Sequence, residues 1–549
     1  MKVISSRGLK PLSLLTLAMW LAGCAVGPDY QAPKPTMPGS YNTLDSQEAS
    51  KPQSAAINSR WWRTFNDPQL DSLIARAIEG NLTLQQAVLR IAGAREQLSQ
   101  AQGGLFPSLN GSGKVNRQQL GLEGLLKANG ATDQLDSNVA SQLDGLTQPV
   151  TLYQGSFDAS WELDLWGKVR RQVESANAQQ QAAVEQRNDA LVSLEAEVAR
   201  AWLQLRGAQS TIQTLQQQID VAQQTVELTQ SQQRNGLAPL TDVENARAQL
   251  SSLQAQLPQY QSQARQAMNG LAVLLGKTPG SLDAELSAPK ALPPLPQFVP
   301  VGIPSTLARR RPDIRQAEAT LHAQTAEIGV SVAQLFPSLS LTGQLGVRNT
   351  DVSYLDNWSS HFYSYGPSLS IPIFQGGRLV SSVKLARAQQ ASAALDYRQS
   401  VLTALQDVEN ALVSYRADQQ RVTALDHTTG SLQRAFDLAS DSYRQGLSTF
   451  LEVLDAQRQL AQAEEQATQA RMQSALDLVA LYKALGGGWE TYQTSSCRNI
   501  LYLVRQPLLI NPLAVAENTL PQPVNGPPAQ PVFAAGILRY FPIIFAITP

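Results

Sequence analysis

Four segments of the chain alternate apolar and polar residues, which is the pattern of a β-strand with two unlike faces. From Phe157 to Leu165 the odd positions are apolar or aromatic, whereas the even positions carry Asp, Ser and Glu. Similar alternation begins at Ser108 and Ser338, and runs from Tyr363 to Ile373. Each segment is near the ~10 residues of a transmembrane strand. The pattern predicts four membrane strands, with a soluble sandwich as the alternative.

Two much longer segments carry a helical pattern. Residues 168–235 and 378–445 contain no proline, and their apolar residues recur at spacings of three and four, as in a coiled-coil seam. The first seam is unbroken, whereas Asp418 and Thr429 lie on the second. At 1.5 Å per residue each helix would be roughly 100 Å long, which exceeds a compact domain.

The same order of patterns occurs twice along the chain. Arg234-Asn235-Gly236-Leu237 corresponds to Arg444-Gln445-Gly446-Leu447, and the Gly in each sequence predicts a turn between a long helix and a returning helix. Each half also contains a short helical segment and two of the strands. We therefore predict two internal structural repeats, over residues 61–289 and 290–489.

The N-terminus has the pattern of an export signal. Basic residues precede an apolar stretch, Leu12 to Ala22, that is too short to span a bilayer as a helix. Leu21-Ala22-Gly23-Cys24 resembles the lipobox of bacterial lipoproteins, in which the cysteine becomes the acylated first residue. An ordinary secretory signal with a chance cysteine is the alternative. The predictions are a signal peptide over 1–23, lipidation at Cys24 and an extended lipid-tethered segment over 24–60.

Four strands are too few to close a barrel around a water-filled lumen, and lipid does not tolerate an open strand edge. Several copies must therefore share one barrel, and three copies would supply twelve strands. The short and returning helices together nearly match the long helix in length, so three copies would also supply twelve helical strands. We predict an α+β membrane protein, a trimeric twelve-stranded β-barrel with four strands per protomer, continued by a long α-helical coiled-coil barrel.

Composition and motifs argue against catalysis and nucleic-acid binding. The 549 residues include 43 basic and 44 acidic side chains, for a formal net charge of −1, so a nucleic-acid partner is not expected. Neither the two cysteines nor the three histidines have metal-ligand or catalytic spacing, and Gly276-Lys277-Thr278 lacks the rest of a phosphate loop. We expect no enzymatic activity, no cofactor and no metal site. The run Arg309-Arg310-Arg311 is predicted to be a solvated region at a helix start.

Three further segments resemble the outer-membrane factor family of tripartite efflux pumps. They run from Trp61 to Leu70, from Pro304 to Glu318 and from Tyr443 to Arg458. With the lipobox, they resemble the lipoprotein branch that serves resistance-nodulation-division pumps, over about residues 20 to 489. The resemblance implies a homotrimer in the outer membrane, a periplasmic helical tunnel, a periplasmic adaptor and an inner-membrane transporter. Residues 490–549 do not fit it, and we interpret them as a disordered tail or a reading-frame change.

The expected function is that of an outer-membrane channel that passively conducts substrates from an inner-membrane pump and its adaptor to the exterior. A duct of type I protein secretion and a lipid-tethered periplasmic scaffold remain as alternatives. The resemblance also implies sites, and threefold symmetry would turn acids at the aperture into a ring that attracts cations. The adaptor-facing tips would be Gly236, Leu237, Gly446 and Leu447, and the periplasmic aperture would be formed by Leu451, Glu452 and Asp455.

Overall fold

The structure, a computed structural model, describes much of the chain from Ala25 to Tyr492. The described residues are 25–34, 37–38, 41, 59–119, 149–295, 299 and 307–492. The predicted signal peptide, Cys24 and most of the predicted tail lie outside these ranges, so they stay predictions.

Long α-helices dominate the described chain. The two longest have 67 residues each and follow the predicted proline-free segments to within one residue. The short helices precede the strands and the long ones follow them. The helices are α1 (Pro68–Gly80), α2 (Leu82–Gly103), α3 (Lys168–Arg234), α4 (Leu240–Leu274), α5 (Pro312–Ala333), α6 (Arg378–Arg444) and α7 (Phe450–Ala484).

Shorter helical turns connect these elements. One-turn α-helices lie at Asp283–Leu286 and Leu307–Arg310, and 3-10 turns lie at Trp61–Phe65, Val352–Tyr354, Trp358–Ser360 and Trp489–Tyr492. None of the described helices combines the length and the apolar character of a membrane span.

The strands form one antiparallel sheet in the order β1-β2-β3-β4. They are β1 (Ser108–Gln118), β2 (Val150–Leu163), β3 (Ser338–Asn349) and β4 (His361–Ser370). Two predicted ends were wrong: Leu165 lies beyond β2, and the residues from Ile371 to Ile373 lie beyond β4. In the second case Pro372 restricts the residue before it and has no N–H to donate, whereas Pro367 is tolerated within β4, which is paired on one side only.

Helix and strand order is the same in the two halves of the described chain. The sequence α2-β1-β2-α3-α4 is followed by α5-β3-β4-α6-α7. The short helices α2 and α5 have 22 residues each, and the returning helices α4 and α7 have 35 each. Every strand hairpin is therefore joined to helices at both of its ends.

The largest buried cluster surrounds the middle of α3. Trp61, Trp62 and Phe65 are each 1% exposed and pack there with Trp202 of α3 and Tyr482 of α7. The Trp61 and Tyr482 rings stack with centroids 5.1 Å apart. Because these aromatic residues bury large apolar areas, this cluster fixes α3 and α7 against the segment that precedes α1.

Candidate functional site

One face of the sheet is apolar and uncovered. Directly opposite residues in an antiparallel sheet project to the same side. Phe157 of β2 lies opposite Leu345 of β3, which lies opposite Tyr363 of β4. These three side chains are 51%, 57% and 75% exposed. On β1, Gly111 continues the row, so apolar surface crosses all four strands as the alternation predicted.

The other face of the sheet carries a hydrogen-bonded polar network. The Ser112 and Ser156 hydroxyl groups are 2.9 Å apart, and both donate to the Asp158 carboxylate, at 3.1 and 3.2 Å. The Gln344 amide donates to Ser156 at 3.4 Å. These residues belong to β1, β2 and β3, so the polar side is continuous across strands and suited to water.

Both outer strands of the described sheet have a partner on one side only. β1 is paired with β2, and β4 is paired with β3. Each outer edge therefore presents backbone N–H and C=O groups that another strand could bind.

The residues directly after Cys24 are held where β2 meets α3. The Val26 N–H donates to the Trp166 carbonyl at 3.0 Å. A Cβ atom at Gly167 would lie 2.8 Å from Ala25, and one at Gly27 would lie 2.5 Å from the Gly329 Cα. Only glycine permits these approaches, because a Cβ atom would collide there. Both Gly27 and Gly167 also have positive φ angles, which favour glycine independently. The sequence interpretation missed this contact.

Polar and aromatic contacts continue along the same N-terminal segment. Asp29 forms a 2.6 Å ion pair with Arg171 of α3. Tyr30 stacks on His322 of α5, with ring centroids 4.1 Å apart, and donates to Glu318 at 3.2 Å. His322 also lies 2.9 Å from a Glu174 carboxylate oxygen, so it both stacks and forms a polar contact. No group of three or more His, Cys, Asp or Glu among the described residues could hold a metal ion.

Two glycine turns join the long helices to the returning helices. Gly236 and Gly446 have φ angles of 72° and 74°. In the first turn, the Gly236 and Leu237 N–H groups donate backward into α3 at 3.0 and 2.8 Å, which is a Schellman motif. The second turn repeats both bonds at the same distances. Leu237 and Leu447 are each 76% exposed at these turns, so the predicted tips present apolar side chains to solvent.

A small apolar cluster connects the two turns. The Tyr443 and Phe450 rings lie 5.6 Å apart. They pack with buried residues of α3, α4 and α7, so the α3–α4 pair and the α6–α7 pair are in contact at this end. The cluster comprises Val226, Ala246, Tyr443, Phe450 and Val453.

The predicted aperture residues lie on the exposed side of α7. Phe450 and Val453 are buried, whereas Leu451 is 62% exposed and Glu452 and Asp455 are also exposed. Leu451 and Asp455 are one turn apart and share a face. The single chain thus brings the three residues together on a free surface, and the constriction itself stays a prediction.

Arg311 corrects the prediction of a solvated arginine run. Its side chain is 11% exposed and forms ion pairs with Asp313 at 2.7 Å and Asp407 at 3.0 Å. It also donates to the Ala484 carbonyl at 3.1 Å. The arginine therefore joins the start of α5 to α6 and to the end of α7. A side chain at Gly486 would collide with it, and Gly486 also has the positive φ angle of 67° that is typical of the residue after a helix end.

A buried acid lies in the middle of α3. Glu195 is 0% exposed. Its burial, and then the nearby Glu490 carboxylate, raise the pKa of Glu195 well above 4.5, although Arg187 opposes the shift. A side chain at Gly488 would collide with the Glu195 carboxyl group. No local sequence pattern indicated this acid, which lies within an ordinary helical seam.

Comparison with known proteins assigns the chain to a family. The sequence profile described as outer membrane efflux protein matches residues 73–277 and 303–487. The chain belongs to the outer membrane efflux protein family. It is 32% identical to outer membrane protein OprJ of Pseudomonas aeruginosa over 484 residues, covering 87% of this chain and 96% of that protein. The cation efflux system protein CusC of Escherichia coli is 29% identical over 485 residues, covering 88% and 100%.

Solved structures agree with the family assignment. The outer-membrane channel OprN superposes with a TM-score of 0.75 at 33% identity, covering 85% of this chain and 100% of that one. The resemblance to efflux-pump outer-membrane proteins is thus confirmed, and with it a place in the outer membrane and a role in efflux. The matched segments of this outer membrane efflux protein include all four strands, both glycine turns and the aperture residues.

Proposed function

We propose that three copies of this outer membrane efflux protein form one passive channel. Its barrel would have twelve strands, and its periplasmic helices would receive substrates from an adaptor and an inner-membrane transporter. The uncovered apolar face of the sheet, bounded by two unpaired edges, carries the proposal. In lipid that face is favourable, whereas open edges are not. Pairing β4 of one copy with β1 of the next would satisfy both edges, and twelve strands would leave room for a lumen.

An apolar stripe on α6 supports contact between copies. Leu395, Leu402, Val413 and Leu438 are 66%, 53%, 53% and 69% exposed. At 3.6 residues per turn they fall on one side of the helix. Such a stripe is unfavourable in water and would be covered by the neighbouring copy. The helix contact and the β1–β4 pairing would then belong to one continuous interface between copies.

The long helices supply the periplasmic part of the proposed channel. Both 67-residue helices would be about 100 Å long at 1.5 Å per residue. Since each hairpin is joined to helices at both ends, all helices extend from the same end of the sheet. The exposed Leu237 and Leu447 at their far turns would meet the periplasmic adaptor.

The N-terminal contacts support a lipid anchor at Cys24. Ala25 and Val26 are packed beside Gly167 and Trp166, where the sheet gives way to helix. Acyl chains on the preceding cysteine would therefore enter the membrane at its periplasmic boundary. Several acyl chains anchor a protein stably, whereas one does not.

The named relatives differ in what they export. They include an antibiotic efflux protein and a toluene efflux protein of Pseudomonas putida and the cation efflux protein of Escherichia coli. Such variety among similar chains favours a duct of low selectivity. We therefore assign the choice of substrate in this system to the inner-membrane transporter.

Single-channel recording tests the proposal. Purified protein should migrate as a heat-modifiable trimer and should produce stable conductance steps in planar bilayers. A lipid-tethered scaffold would produce none. A type I secretion duct would also conduct, but a deletion strain would then lose export of a protein rather than accumulate small toxic solutes.

Cysteine crosslinking tests the two proposed contact surfaces separately. A cysteine at Leu447 should crosslink to the adaptor, whereas a cysteine at Leu402 should crosslink between copies of this chain. If the adaptor crosslinks to the cysteine at Leu402 and not to the cysteine at Leu447, the proposed arrangement is wrong.

A further inference from the structure

The α6–α7 helix pair has two carboxyl groups where the α3–α4 pair has two methyl groups. Asp418 of α6 and Asp477 of α7 share a hydrogen bond across their pair. Ala208 and Ala267 lie 210 residues earlier, the offset between the last residues of α6 and α3, 444 and 234. Ala208 is 5% exposed, and Ala267 packs against the main buried cluster.

The acid pair replaces apolar packing at a helix contact. Helices of equal length and equal turn geometry would pack equally well with alanine at both positions, as α3 and α4 do. Two half-buried carboxyl groups there are costly unless they are hydrogen-bonded. Only the α6–α7 pair has these two acids at this contact, so any response of the contact to protonation belongs to that pair.

Charged groups from several helices surround Asp477. Its hydrogen-bond partners include Asp418 and the Gln473 amide, which donates to Asp477 at 2.9 Å. Arg421 lines a neighbouring cavity together with Gln473. On the other side Asp477 borders a cavity of about 500 Å³ between α3, α5, α6 and α7. The charged residues lining that cavity besides Asp477 are Asp189, Arg311, Asp313, Asp407 and Lys483.

The hydrogen bond between the two carboxyl groups requires a proton. A carboxylate only accepts, so one of the two acids must be protonated to donate. Burial, and then the hydrogen bond with Asp418, raise the pKa of Asp477 to about 6. Arg311 lines the cavity that Asp477 borders, but its guanidinium group is already paired with Asp313 and Asp407. When both acids of the pair are ionised, like charges face each other across the helix contact.

We propose that Asp418 and Asp477 form a proton-operated tie between α6 and α7. The tie holds while the pair shares one proton, and it loosens when both groups are ionised. Because α7 also carries Leu451, Glu452 and Asp455, a looser α6–α7 pair would widen the aperture more readily. That last consequence rests on the proposed channel function, whereas the tie itself does not.

Hydrogen–deuterium exchange of the assembled full-length protein tests the tie directly. Exchange is compared at about pH 4.5 and about pH 7, on either side of the raised pKa, after correction for the chemical exchange rate. Peptides containing Asp418 and Asp477 should be better protected at the lower pH, by up to about tenfold per pH unit for one linked proton. Peptides containing Ala208 and Ala267 are the internal control and should show no such change.

Two variants separate the proton from the packing. Asp477→Asn keeps a donor toward Asp418 without titrating, so its protection should be high at both pH values. Asp418→Ala combined with Asp477→Ala rebuilds the α3–α4 contact and should abolish the pH response. A pH response that persists in the double variant, or one that is equal at Ala208, would overturn the tie.

Conductance recorded on the same variants distinguishes failure of the tie from failure of the channel. We expect the opening frequency of the parent to rise with pH and that of Asp477→Asn to stay low. If exchange responds as expected but no variant conducts, the tie stands and the proposed channel is wrong. If the parent conducts but its exchange at Asp418 is independent of pH, the channel stands and the tie is wrong.

Discussion

An arginine in the centre of β3 tests which face of the sheet meets lipid. Leu345 lies near the middle of this 12-residue strand, opposite Phe157 and Tyr363. At ~3.3 Å per residue and a tilt of about 40°, the strand would cover roughly 30 Å along the membrane normal. Leu345 would thus lie near mid-depth, and Gln344 beside it would face the lumen.

The expected free-energy penalty depends on the depth of the arginine in the membrane and on the face of the sheet that carries it. Arginine on the lipid face costs about 2–4 kcal/mol at the bilayer midplane and about 0–1 kcal/mol near the interface. Leu345→Arg should therefore shift the folding equilibrium roughly 30-fold to 900-fold per copy. Gln344→Arg, on the polar face, should have little effect. Leu339→Arg, near the helical end of the same apolar face, should fall between them.

Trimer yield in outer-membrane fractions measures the effect, by comparing heated and unheated samples on denaturing gels. Unfolding in urea from reconstituted vesicles then ranks the three variants. The reasoning is refuted if Gln344→Arg is as harmful as Leu345→Arg, because the two faces would then meet similar surroundings. A harmful Gln344→Arg with a harmless Leu345→Arg would show that the faces are reversed.

Four further predictions concern single sites. Cys24→Ser should abolish incorporation of labelled palmitate, and incorporation equal to that of the parent would contradict the lipobox. Gly446→Trp should reduce crosslinking to the adaptor much more than Gly446→Ala does, since both bear the left-handed strain of about 1–2 kcal/mol but only Trp adds bulk. Glu452→Ala with Asp455→Ala should reduce the cation preference of the channel, and unchanged reversal potentials would exclude this neck. Stability attributable to Glu195 is fully present below pH 4.5 and is lost as the pH rises through its raised pKa. Glu195→Gln cannot ionise, so the variant should lose this pH dependence and gain stability relative to the parent as the pH rises from 4.5 to 7, as read from urea melts at several pH values.

The faces of the strands and the lengths of the helices followed from local patterns. Alternation with period two assigns each side chain to one face without knowledge of the partner strand, so Phe157 and Asp158 were placed correctly. The C-terminal ends of the long helices were predicted from Gly236 and Gly446. A helix commonly ends at a glycine with positive φ, and such a glycine can be recognised in the sequence.

Contacts between residues that are far apart in the sequence could not be predicted from local patterns. Arg311 meets Asp407 and Ala484 because the start of α5 lies against α6 and the end of α7. Its neighbours in sequence suggested only a polar helix start. The same holds for Asp29 with Arg171, and for the buried Glu195. A buried ion pair such as that of Arg311 with Asp407 is formed by partners that only the three-dimensional fold brings together.

The two helix pairs have equal lengths but unequal chemistry, and the difference gives the α6–α7 pair acids where the α3–α4 pair has none. Where α3 and α4 have Ala208, Ala267 and Asn245, the matching positions of α6 and α7 have Asp418, Asp477 and Asp455. Both pairs contribute to the main buried cluster, α3–α4 through Trp202 and Leu271 and α6–α7 through Leu412 and Tyr482. Apolar contacts do not respond to protons, whereas paired acids do. In the proposed channel, changes in charge at these positions would therefore act on α6 and α7 rather than on α3 and α4.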